Sequence, residues 1–171
     1  MRISIGVASM LLAASAYADD VTRYPLPDGN KFPIAQAVEV PAGTTLVFQS
    51  GSLGSPKDPS AAPGTAAYWG DTKDQALSAF ANIRKALESE GLGFGDVVKM
   101  LVFLVGDPAN GGKMDFKGFM EAYTQFFGTP DQPNLPARSA VQVAGLASPG
   151  VLVEVEVVLA QKAAPAAAKK K

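Results

Sequence analysis

The 171-residue chain contains neither cysteine nor histidine. Without thiols there is no disulfide, no thiolate nucleophile and no soft metal ligand. Without imidazole there is no Ser-His-Asp triad and no histidine ligand for zinc, copper or haem. Charged residues are also sparse, at 18%, whereas 47% of residues are hydrophobic, enough for one buried core at this length. Any chemistry therefore falls to carboxylates, arginine, lysine, hydroxyls, backbone groups and water.

Arg2 precedes an apolar run over residues 3–14, which leads into Ala16-Tyr17-Ala18 and then Asp19-Asp20. The run is shorter than the ~20 residues that span a bilayer, and small residues at the minus-three and minus-one positions suit a signal peptidase. This pattern predicts a signal peptide over residues 1–18 and export through the inner membrane, to a bacterial periplasm, with no stable membrane insertion. An uncleaved anchor or a buried first helix is the alternative. Freedom from cysteine suits an oxidising compartment. Residues 19–161 form the predicted domain, and residues 162–171 read as a disordered Ala/Pro/Lys tail, too simple to build a core. Five of the 15 basic residues (Arg2, Lys162, Lys169, Lys170, Lys171) lie outside residues 19–161, leaving 10 against 16 acidic residues, a net of −6. Such a body repels nucleic acid and anionic lipid at long range, so no nucleic-acid partner is expected.

Along the body, residues 21–31 are broken by Pro25, Pro27 and Asp28-Gly29-Asn30 and read as a turn-rich lead-in. Residues 35–40 and 44–49 are predicted to form a β-hairpin about Pro41-Ala42-Gly43. From Ser50 to Gly70 prolines and glycines recur without period, which predicts a long loop. Thr72-Lys73-Asp74-Gln75 fits a capping box, Leu77, Phe80, Ile83 and Leu87 follow at helical spacing, and Gly91 is placed as the stop. Residues 97–105 read as a central strand, interrupted only by Lys99. A second helix begins near Asp115 and carries Phe116, Phe119, Met120, Tyr123, Phe126 and Phe127 up to Gly128. An aromatic stripe of this kind is read first as core. Residues 139–146 and 151–160 supply two closing strands; in the second, Val151, Val153, Val155 and Val157 share one face, opposite Glu154 and Glu156. The predicted order is β-β-α-β-α-β-β, a single α+β domain with two helices packed on one face of the sheet.

Two residues stand out for chemistry. Arg138 follows Pro136, which stiffens the approach to a strand, and its guanidinium can hold a carboxylate bidentately; it can equally be a strand-end arginine in a surface ion pair. Glu154 interrupts an apolar strand and can take or give a proton, or can simply face solvent beside Glu156. A glycosidase pair is excluded, because carboxylates two residues apart on a strand lie on the same side of any substrate. Gly51-Ser52-Leu53-Gly54 lacks a Walker lysine, and Asp107 with Asp115 lacks the spacing of a calcium loop. Tyr68-Trp69 can cover a ligand or anchor its own loop.

Several segments resemble one family. They are Ser50-Gly51, Gln75-Ala76-Leu77 with Asn82-Ile83, Gly95-Asp96-Val97-Val98-Lys99, Val102-Phe103-Leu104, Tyr123 with Phe126-Phe127, Pro136-Ala137-Arg138-Ser139, and Val153-Glu154-Val155-Glu156. The chain resembles the reactive intermediate deaminase (Rid, or YjgF-type) family over residues 32–160. The resemblance implies a chorismate-mutase-like mixed sheet, a homotrimer with sites in the clefts between subunits, and no metal or organic cofactor. It also implies hydrolysis of imines and enamines to 2-oxo acids and ammonia, the reaction of a 2-iminobutanoate/2-iminopropanoate deaminase-like hydrolase on a small carboxylate-bearing substrate. Carried across, Arg138 holds the substrate carboxylate, Glu154 positions or activates water, and Ser50 and Gly51 line the pocket. The chain departs from the family pattern at Ile34, where an aromatic residue is usual, at Met120 for Asn, at Ala140 for a common cysteine, and in the longer loop that brings Trp69. Those four positions are expected to line the substrate pocket. A small-carboxylate binding protein without turnover and a holdase-like structural trimer are the alternative functions.

Overall fold

The computed structural model describes residues 20–161. The predicted signal peptide and the predicted tail lie outside them. Nine elements follow in order: strands β1 (Thr22–Tyr24), β2 (Ala37–Glu39) and β3 (Thr45–Leu53), helices α1 (Ala66–Trp69) and α2 (Thr72–Ser89), strand β4 (Val97–Val105), helix α3 (Phe116–Tyr123), and strands β5 (Ala137–Val143) and β6 (Val153–Gln161).

The main sheet is mixed, in the order β3-β6-β4-β5. β6 runs antiparallel to both β3 and β4, and β4 is parallel to β5 across the α3 connection. Central β4 occupies the range expected from its apolar run, with Met100, Val102 and Leu104 fully buried toward the helices. On β6 the valine alternation holds: Val153, Val155, Val157 and Leu159 bury, while Glu154 and Glu156 face the other way and stay half-buried. Phe80 of α2 is the hub of the core, its ring 5.0 to 6.2 Å from those of Phe94, Phe119, Tyr123, Phe126 and Phe127. Phe119, Tyr123 and Phe127 are buried, as the aromatic stripe predicts.

Five local expectations need correction. The hairpin does not form: Thr44 N–H does bond to Pro41 C=O at 3.3 Å in the expected turn, but β2 pairs with β1 in a separate two-stranded sheet. β3 instead pairs with β6, whose continuous apolar alternation offers a longer partner than three-residue β2. The lead-in is therefore not merely turns; it contains β1, and Arg23 pins it by donating to the carbonyls of Val97 (2.9 Å), Leu135 (2.8 Å) and Gly95 (3.0 Å). The long loop starts later, since β3 continues to Leu53, and it contains the single turn α1. The capping box of α2 is set one residue earlier than expected: Asp71 accepts from Asp74 N–H at 2.8 Å, and the Asp74 carboxylate accepts from Asp71 N–H at 3.4 Å. At the other end Gly91 adopts φ +72°, the left-handed conformation that lets the chain leave the helix. The second helix stops at Tyr123, with residues 124–127 continuing as turns.

Candidate functional site

Arg138 lies opposite Met100 in the parallel β4–β5 ladder, so its side chain shares the helix-covered face of the sheet. There it runs beneath α3. Its Nη2 lies 3.2 Å from the Met120 sulfur, a weak acceptor, and its Nη1 is buried with no hydrogen-bond partner. The guanidinium carbon sits 4.1 Å from the ring centroid of Tyr123, 5.3 Å from Phe119, 5.5 Å from Phe32 and 5.8 Å from Phe116. Cation–π attraction holds the charge within this box. Burial lowers the Arg138 pKa and nearby Tyr123 raises it, yet a guanidinium stays charged at any physiological pH. The Tyr123 hydroxyl donates to Pro33 C=O at 2.8 Å, and burial pushes its pKa up to about 12 against the opposing Arg138 charge, so it remains a neutral phenol. Chemically, Arg138 is a desolvated cation with spare donors and no ion-pair partner among the described residues.

A second cluster forms around Glu154. It pairs with Leu53 on one side and Phe103 on the other, on the sheet face turned away from the helices. The β3 ladder carries one extra residue between Gln49 and Ser52, a bulge made by Ser50 and Gly51. A side chain at Gly51 would collide with Glu154 Oε1, so glycine here lets the carboxylate lie directly against the backbone of the bulge.

The expected site residues thus fall into three places. Arg138 and Met120 touch, Ala140 lies two residues along β5 on the same face, and Ile34 follows Pro33 on the segment tied to β5 by Ala35 N–H to Pro136 C=O at 3.0 Å. Glu154, Gly51 and Ser50 form the second group, on the opposite face of the sheet. Among the described residues Trp69 makes no hydrogen bond or ring contact with either group: its indole N–H donates to Pro149 C=O at 2.9 Å and its ring packs against Gly150. These contacts anchor the Tyr68-Trp69 loop to the turn before β6. Phe32, Phe116, Phe119 and Tyr123 around Arg138 were not singled out by sequence as site residues. Spacing put the three helical ones on one face, but only the β4–β5 pairing shows that an arginine lies beneath them.

With this geometry in view, residues 29–161 match the family model described as Endoribonuclease L-PSP. The Escherichia coli (strain K12) protein TdcF, by name a reactive intermediate deaminase, is 32% identical over 131 residues, covering 77% of this chain and 88% of TdcF. The chain belongs to the Rid family. A 2-iminobutanoate/2-iminopropanoate deaminase of Salmonella typhimurium (strain LT2) is 32% identical over 130 residues, 76% of this chain and 88% of that protein. The crystal structure of E. coli TdcF with bound serine superposes with a TM-score of 0.53 at 32% identity, covering 81% of this chain and 94% of that one. The E. coli YjgF gene product gives 0.53 at 28% identity, over 78% and 91%. The fold is thus the YjgF-type α+β fold, and the named relatives support a Rid-type deaminase.

Proposed function

We propose that the protein hydrolyses carboxylate-bearing imines to 2-oxo acids and ammonia, at sites shared between copies of a homotrimer. The observation that carries this reading is the Arg138 guanidinium, buried, charged and with an unpartnered Nη1. An orphaned charged donor is costly unless something binds it, and a carboxylate is its best-matched ligand. In the reaction, water adds to the imine carbon while Glu154 accepts a water proton. That proton passes to nitrogen to give a carbinolamine; the new hydroxyl then gives up its proton through Glu154 to the nitrogen as the C–N bond breaks, leaving a carbonyl and ammonia. An electrophilic imine needs little more than orientation and one proton-handling group.

Arg138 and Glu154 lie on opposite faces of one sheet, so a site that uses both takes each from a different copy. The Glu154 face also leaves Phe48 75%, Leu46 44% and Val141 42% exposed, apolar surface that a second copy would cover. A closed ring of heterologous contacts satisfies both requirements. Binding without turnover is the second reading, favoured by the chemistry of a guanidinium with spare donors, which can hold a carboxylate without any part played by Glu154. Export to the periplasm belongs to the same proposal and rests on the residues 1–18 pattern; a mature N-terminus at Asp19 would support it, and one at Met1 would not.

The test generates imines in place with an amino-acid oxidase and follows 2-oxo-acid release with and without the protein, and with Arg138→Ala. Acceleration that disappears in the variant supports hydrolysis. Saturable 2-oxo-acid binding without acceleration supports the binding reading, and acceleration unchanged in the variant overturns the role of Arg138.

A further inference from the structure

The walls around the Arg138 guanidinium offer a ligand almost no hydrogen bonds. Phe32, Phe116, Phe119 and Tyr123 present rings between 4.1 and 5.8 Å from it, and Met120 presents a thioether at 3.2 Å. The one hydroxyl there, on Tyr123, has its donor committed to Pro33 C=O. Ala140, next along β5 on this face, offers only a methyl group. Phe32 is 39% exposed, while Phe116 and Met120 are half-buried, so their apolar surfaces remain open to a ligand. Phe32 and Phe116 also stack, with centroids 6.3 Å apart, into a flat apolar wall.

We propose that this site selects carboxylates carrying apolar or aromatic side chains and discriminates against short polar ones, with Phe32, Phe116 and Met120 as specificity-determining residues. The proposal rests on Arg138 being the carboxylate anchor, as argued above. With the carboxylate on Arg138 and the imine carbon turned to Glu154 of another copy, the ligand's side chain is left to lie against these walls. An apolar side chain gains burial there, whereas a hydroxyl gives up its water and finds no partner. A second carboxylate fares worse, because it meets the negative faces of the rings. Sites lined this way reject an added hydroxyl through its desolvation by no more than about a hundredfold.

The experiment measures binding of the purified protein to four 2-oxo acids by calorimetry: phenylpyruvate and 4-methyl-2-oxopentanoate against hydroxypyruvate and oxaloacetate. In parallel, kcat/KM is measured on imines generated from phenylalanine, leucine and serine. The apolar ligands should bind at least about tenfold more tightly than the polar pair. Phe32→Ala should weaken binding of the apolar pair several-fold more than that of the polar pair, a split that a purely structural role or a shared loss of the Arg138 anchor would not give. Met120→Gln, which sets an amide beside the guanidinium, should narrow the gap by improving hydroxypyruvate. Hydroxypyruvate binding as tightly as phenylpyruvate, or serine-derived imine turning over as fast as the phenylalanine-derived one, overturns the selectivity while leaving hydrolysis standing. Apolar preference in binding with no turnover of any imine overturns hydrolysis and leaves the selectivity standing. Failure of all four acids to bind overturns both.

Discussion

The two faces of the main sheet are built from the same strands and reach opposite ends. Toward the helices, Met100, Val102, Leu104, Val153, Val155 and Leu159 are fully buried; away from them, Phe48 is 75% exposed and Val141 42%. Apolar content alone therefore does not decide which face becomes the core. The decision comes from α2 and α3, whose own stripes, Phe80, Ile83 and Leu87 on one and Phe119 and Tyr123 on the other, close over a single side. The uncovered side keeps apolar residues and sets Glu154 and Glu156 among them. The two residues given chemical roles belong to different faces: Arg138 sits in the covered layer, and Glu154 on the uncovered one.

Substitution on each face separates their roles. Phe80→Ala removes the aromatic hub and should cost about 3–5 kcal/mol of stability, read from denaturant unfolding. Phe48→Asp on the other face should leave the unfolding free energy of the isolated chain within about 0.5 kcal/mol and abolish self-association, read by light scattering. If Phe48→Asp unfolds the chain as Phe80→Ala does, the two faces do not differ in the way described.

Within the covered layer, Arg138 brings a charge into packing that is otherwise mostly apolar. Arg138→Met keeps bulk beneath α3 but removes charge-assisted hydrogen bonds to a carboxylate, worth about 1.5–3 kcal/mol, so binding should weaken by about 10- to 150-fold. Stability should change in the other direction or hardly at all, because the variant also removes the unpartnered buried Nη1. A large loss of both would mean that Arg138 is a structural residue first.

Tyr123 beside it gives a pH test of the same layer. Its folded pKa is raised from 10.0 to about 12 by burial, so the stabilisation tied to the neutral phenol is complete below about pH 10 and is lost as pH rises toward about 12. Unfolding measured across that window should show a steeper alkaline loss than in Tyr123→Phe. Equal slopes would place the phenol in water rather than under α3.

Much of this arrangement is legible from residues that act locally. Residues 97–105 read as a strand because the run is apolar on both faces, and α2 is marked by its leucine and phenylalanine spacing with Gly91 at its end. The β6 alternation placed Glu154 opposite the valines. What was not legible is choice of partner. Nothing within residues 35–49 tells β2 to pair with β1 and β3 to pair with β6, since a turn at Pro41 is compatible with either. Nor can spacing show that Arg138 and Glu154 point to opposite sides, because that depends on which β4 residue each meets: Met100 for one and Phe103 for the other. The ring box around Arg138 was hidden for the same reason; aromatic spacing identifies a buried helix face, and an arginine 15 residues beyond Tyr123 enters it only through the parallel crossover.

The smallest effect is expected at Trp69, where the long loop meets the turn before β6. Trp69→Phe keeps a ring against Gly150 but removes the hydrogen bond from the indole to Pro149 C=O. The cost should be about 0.5–1.5 kcal/mol, the usual net worth of one such bond, and is measurable as a modest drop in melting temperature. Carboxylate affinity should not change, because Trp69 contacts neither Arg138 nor Glu154 in the hydrogen bonds and ring contacts of the described residues. A variant that melts normally but binds 2-oxo acids more weakly would return Trp69 to the ligand and would require the loop of one copy to reach Arg138 of another.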